Sequence, residues 1–169
     1  MNFPNEAPTP KAATFHEVVH YFFNENERRA AESVDGLRES DVNHDPGHGA
    51  WSIGMILKHQ VQLIGLMPNN LKPGSVENLE APDLGAEGAW NLENLLSYRK
   101  DLADRFIEVF DSLAEEEFMT TRPGVYPPHW EEWPALMRML RPLLDMSTHI
   151  GQVNYARRQL DNPINSGKN

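Results

Sequence analysis

Residues 134–160 read PALMRMLRPLLDMSTHIGQVNYARRQL. Leu136, Met139, Leu143, Met146, Ile150 and Val153 recur there at steps of three and four. That period puts all six on one face of a helix and suits no strand. Pro134 fits the first helical position, where its missing N–H is no loss. Pro142 lies inside the helix, frees the carbonyl of Arg138 and predicts a bend. A helix this long with one apolar stripe needs partners to cover that stripe.

Working back along the chain, three more such patterns appear. Residues near 89–113 carry Leu92, Leu95, Leu96, Leu102, Phe106 and Val109 on an inner face. Residues near 50–67 carry Trp51, Met55, Ile56, Leu63 and Leu66, with Pro68 as the expected stop. Residues near 12–34 carry Phe15, Val18, Val19, Phe22 and Phe23, and Thr14 with Glu17 forms a capping box. Between them lie a turn-rich loop at 37–49, a long loop at 68–88 and a stretch rich in proline and aromatics at 120–133. No segment alternates like a strand, so no sheet is expected. The fold class is all-α, a four-helix bundle. A connection of about 20 residues at roughly 3.3 Å each spans a helix of about 18 residues. The second and third helices are therefore expected to run parallel, giving up-down-down-up with a long crossover. One domain accounts for residues 1–169, with 1–11 an irregular leader and 162–169 a tail.

Composition excludes several classes. The chain has 169 residues, 15 basic and 25 acidic, for a net charge of −10. Such a surface repels phosphate backbones, so no nucleic-acid partner is expected. No apolar run approaches the roughly 20 residues of a membrane span, and the start does not read as a signal peptide. No membrane partner and a cytoplasmic location are the expectation. Cysteine is absent, which removes disulfides, thiolate nucleophiles and thiolate metal ligands. Any metal must be held by histidine, carboxylate, backbone or water.

Three histidine settings then matter. His16-Glu17-Val18-Val19-His20 fits H-E-x-x-H, which on a helix can bind zinc. Glu17 is already spoken for as a capping residue, and only 15 residues precede His16 to supply a sheet edge. A catalytic zinc site is not expected there. Asp145 and His149 are four apart beside the apolar stripe of the last helix, so they can converge on one ion. His59 sits within the apolar face of the second helix. Alone it reads as a hydrogen-bonded core residue; opposite Asp145 and His149 it makes a two-His, one-carboxylate set for a divalent metal. Trp51, Tyr155 and Trp130 are candidates to line a substrate pocket, the last on the loop ahead of the fourth helix. His44 and His48 also stand four apart, but in a Pro/Gly loop that fixes no face, so they read as surface.

Trp51-Ser52-Ile53-Gly54 with Leu57-Lys58-His59, together with Asp145, His149 and Gly151-Gln152, resembles the DinB/YfiT-like superfamily. The resemblance covers nearly the whole chain, including helix order and the crossover. It implies an up-down-down-up bundle, a homodimer, and one divalent ion, often nickel, zinc or iron; a carboxylate ligand at Asp145 would extend the choice to manganese. Its ligand positions carry onto His59, Asp145 and His149. Asp145 departs from the pattern, which has histidine there. Implied activities are transfer of low-molecular-weight thiols, mycothiol-dependent isomerisation and hydrolysis of small molecules. Without cysteine in the chain, any thiol must come from outside. The competing reading is a non-catalytic bundle whose polar core is structural and which serves binding or dimerisation. No residue is singled out as catalytic.

Overall fold

The structure is a computed structural model and describes residues 14–121 and 127–161. The expected leader 1–11 and tail 162–169 lie outside the described residues. Four long helices dominate: α1 (Phe15–Val34), α3 (Ile53–Leu71), α4 (Leu92–Asp111) and α5 (Ala135–Asp161). A short helix α2 (Glu39–Val42) interrupts the first loop. Strands β1 (Gly85–Ala86) and β2 (Ala89–Trp90) pair antiparallel ahead of α4. The chain is mostly helical, consistent with the all-α class.

Local chemistry sets the helix starts. The Thr14 hydroxyl accepts from the Glu17 N–H at 3.3 Å, and the Glu17 carboxylate accepts from the Thr14 N–H at 2.8 Å. This reciprocal box fixes the first turn of α1. Ser52 accepts from the Met55 N–H at 3.2 Å and starts α3. Asn91 accepts from the Asn94 N–H at 2.8 Å and starts α4.

Four expectations need correction. The second long helix passes through Pro68 and ends at Leu71. Proline there removes only one backbone bond, and the Lys72 N–H still reaches the Pro68 carbonyl at 2.7 Å. The third starts at Leu92, not near 89, and a sheet does exist, though of two residues per strand. Gly85 and Gly88, at φ 82° and 78°, permit the tight turn that folds Ala89 and Trp90 back. Trp51, expected on the second helix, precedes its cap and is 47% exposed.

One hydrophobic cluster draws on all four long helices, from Val19 and Phe23 through Leu57, Ile64 and Phe106 to Met146 and Val153. Phe23 meets Phe106 at 4.6 Å between ring centres, and Phe15 meets Phe110 at 6.0 Å. Arg99 grips Glu27 with two bonds of 2.8 Å. Positions on α4 thus fall as those on α1 rise. Along α3 and α4 they rise together: the Trp90 indole sits on Gly54, and Leu102 sits over Gly65. Along α1 and α5 they also rise together, since Ser147 donates to Asn26 at 2.6 Å and Arg157 donates to the Ser33 carbonyl at 3.3 Å. No described helix is long and apolar enough to cross a membrane.

Candidate functional site

Trp90 organises the wall next to the site. Its indole is buried against the bare backbone of Gly54, and Lys58 places its ammonium 5.3 Å from the ring centre. Asn43 clamps the Trp90 backbone, accepting its N–H at 2.5 Å and donating to its carbonyl at 2.9 Å. The loop from α2 to α3 is thereby tied to the start of α4. That loop delivers Trp51 to the histidines.

His59 on α3 and His149 on α5 meet edge to face, with ring centres 4.8 Å apart. Trp51 lies 5.3 Å from His59 and nearly parallel to His149 at 6.0 Å. Both imidazoles are half-buried. Nδ1 of His149 is 2.7 Å from Oε1 of Gln152. An amide oxygen only accepts, so with this assigned amide orientation Nδ1 carries the proton and Nε2 keeps its lone pair. Nδ1 of His59 stands 3.5 Å from Oε1 of Gln62, a longer contact of the same kind. Each helix thus carries His-x-x-Gln, and on α5 the glutamine favours a tautomer that leaves Nε2 available for ligation.

Asp145 is placed differently. Its Oδ1 is 3.3 Å from an Arg141 guanidinium nitrogen, one turn earlier on α5. Among the described residues, no three or more His, Asp or Glu side chains form a group that could hold a metal ion. His59 and His149 are brought together, while Asp145, on the same helix as His149, is engaged by Arg141. The two adjacent imidazoles fit two of the three expected donors. The carboxylate is one helical turn from the second of them and held by a surface ion pair, a weak competitor.

A pocket of about 1140 Å³ opens beside His149, between α5 and the loop ahead of α3. Trp51, Ile56 and Tyr155 supply apolar and aromatic lining, and His44 and His48 complete the loop side. The two loop histidines are exposed, yet they face this pocket. Their spacing in a Pro/Gly loop carried no helical face from which to read this. Asp41 also lines the pocket; its hydrogen bond to Arg38 holds the carboxyl down to about 2. Trp130 is not among the lining residues. It is buried and stacked on Trp133 at 5.2 Å, ahead of the first turn of α5. Fourteen helical residues, about 21 Å, separate that turn from His149.

The H-E-x-x-H residues have structural employment. Glu17 completes the cap of α1, His16 packs on Phe110 at 4.8 Å, and His20 Nε2 contacts Asp111 at 2.6 Å.

Comparison with known proteins bears on this arrangement. No curated protein matches the chain. A solved structure described as the conserved protein of locus from Enterococcus faecalis has a similar fold, with a TM-score of 0.64. It shares 16% identity and covers 87% of this chain and 97% of its own. A DinB superfamily profile matches residues 23–152, which takes in α3, α4, most of α1 and His59, Asp145 and His149. The chain belongs to the DinB superfamily.

Proposed function

We propose that this chain binds one divalent metal ion and acts as an enzyme on a small organic molecule held in the pocket beside it. The observation that carries this reading is the His59–His149 pair, with the Nδ1 of His149 tied to glutamine and the pair set between two helices next to the pocket. His59, His149 and Asp145 are the residues that would hold the ion. Asp145 joins by exchanging its partner Arg141 for the metal. Nickel, zinc, iron and manganese all accept such mixed nitrogen and oxygen donors. A bound ion supplies a lowered pKa to a coordinated water or external thiol. The pocket supplies an aromatic lining from Trp51 and Tyr155, and the chain itself supplies no thiol.

The contacts along the helices support an up-down-down-up bundle built as one domain, with α3 and α4 parallel. We further infer a cytoplasmic homodimer. Phe22, Leu144 and Met137 leave apolar side chains exposed, surface that a second copy can cover. Light scattering at micromolar concentration is expected to give twice the chain mass; a monomeric mass counts against the dimer.

Metal content tests the central reading. Protein purified without chelator is expected to carry close to one divalent ion per chain, and His59→Ala or His149→Ala to abolish it. The Asp145–Arg141 pair favours a second reading, a non-catalytic bundle with a structural polar site. A wild type that binds no divalent metal at neutral pH selects that second reading.

A further inference from the structure

His48 is the one non-glycine among the described residues whose backbone lies in the left-handed region, at φ 55°. Gly47 and Gly49 beside it lie there too, each at φ 73°. A side chain with a Cβ destabilises that conformation and glycine does not. Glycine is therefore the residue that the backbone favours at all three positions. Yet position 48 carries an imidazole, and that imidazole is exposed. Among the described residues, no hydrogen bond, ion pair or ring contact accounts for it. What it does is line the pocket, three residues before Trp51. Strained residues of this kind collect at ligand-binding sites.

The chemistry of the wall says what it would bind. Both loop carboxylates are engaged: Asp41 by Arg38 at 2.9 Å, and Asp45 by the Gly47 N–H at 2.8 Å. Among the described residues, the imidazoles of His44 and His48 have no hydrogen-bond or ion-pair partner. An imidazole donates at least one N–H in every protonation state it adopts near neutral pH. Each of the two imidazoles thus offers this wall a donor, next to aromatic faces. We propose that His48 is a ligand-binding residue, donating a hydrogen bond to the acidic head group of an organic molecule whose apolar body lies on Trp51 and Tyr155. This rests on the reading of the pocket as the substrate site, and not on the metal.

Anilinonaphthalene sulfonate, an aromatic body with an acidic head, is the probe. Wild-type protein is expected to bind it saturably, with fluorescence enhancement that Trp51→Ala weakens. His48→Gly keeps the left-handed backbone and relieves its strain, so Tm should rise by about 2 °C. The same variant should weaken probe binding by at least about fivefold. His48→Gln restores a donor and should recover part of that loss. The proposal is overturned if His48→Gly binds the probe like wild type, if Trp51→Ala changes nothing, or if wild type does not bind. Metal titration run in parallel separates the two readings. Loss of the probe in His48→Gly, in a protein that takes up no divalent metal, overturns the metal site and leaves this assignment standing.

Discussion

Asp145 is the residue on which the metal reading turns, because its carboxylate has two competing partners. Arg141 holds it at 3.3 Å, with the guanidinium half exposed. Surface pairs of this kind contribute about 0–1 kcal/mol, so they shift a metal affinity by no more than about fivefold. Arg141→Gln is therefore expected to tighten divalent binding within that limit. Asp145→Ala should weaken it by more than the 10–100-fold typical of groups outside the ligand set, and Asp145→His should restore or raise it. Calorimetric titration of the variants reads all of these. If Asp145→Ala leaves metal content unchanged, the carboxylate is no ligand. Gly54 poses a different single-residue question. A Cβ there would lie 2.2 Å from Cδ1 of Trp90, whose backbone Asn43 holds in place. With the backbone held, relief must come from rotating the buried indole out of its seat. Gly54→Ala is expected to destabilise the chain by about 2–3 kcal/mol in urea unfolding, as overpacking does. A loss under about 0.5 kcal/mol would place it among ordinary surface substitutions instead.

Between elements, a bidentate ion pair joins α1 to α4. Arg99 is buried and meets Glu27 through two parallel bonds. Burial pushes the Glu27 carboxyl up, against the pull of Arg99. Without Arg99, the burial penalty and the repulsion from Asp104 remain. Arg99→Ala is expected to cost about 3 kcal/mol of stability, in the range seen when one member of a buried pair is removed. A double substitution, Arg99→Met with Glu27→Leu, should recover most of that loss, since the pair itself is weak evidence of stability. Equilibrium unfolding checks both. If the double variant is no better than Arg99→Ala, the pair contributes more than its neutral replacement. The loop between α1 and α3 is held by a lighter device, Asn43 on the Trp90 backbone, which is what allows that loop to serve as a pocket wall.

Over the whole molecule, the acidic balance of 25 to 15 makes pH the natural probe of stability. Hydrogen bonding to Arg28 lowers the Glu25 carboxyl from its ordinary 4.5 to about 2, with Arg29 adding to it. Arg38 does the same for Asp41. Both carboxyls have a folded value below the unfolded one, so the unfolded chain binds more protons on acidification. Their stabilisation is present above about pH 4.5 and is lost as pH falls toward 2. Glu27 carries the opposite sign, because burial raises it, and it offsets part of the loss. Thermal melts between pH 6 and pH 2 should show Tm falling through that window. In Glu25→Gln the fall should be shallower; an identical profile would remove Glu25 as its source.

By itself the sequence determined the helical class, the four apolar stripes, the cap of α1 and the pairing of His59 with His149 as candidates. The stripes and the cap follow from residues three or four apart, a spacing that local backbone geometry converts directly into a shared face, whereas the histidine pairing followed from setting one apolar helix face opposite another. The His-x-x-Gln repeat was equally present in the sequence and went unread, because a glutamine matters only once its partner ring is known to turn toward it. Tertiary structure alone decided what depends on contacts distant in the chain. Trp90 left the third helix for a hairpin because Gly54, some 36 positions earlier, offers a seat for its indole. Asp145 turned to Arg141, a choice between two neighbours that spacing leaves equal. Trp130 went to Trp133 and away from the pocket, whereas His44 and His48 came to line it. A loop has no period, so the direction of its side chains is set by what the rest of the chain packs against it.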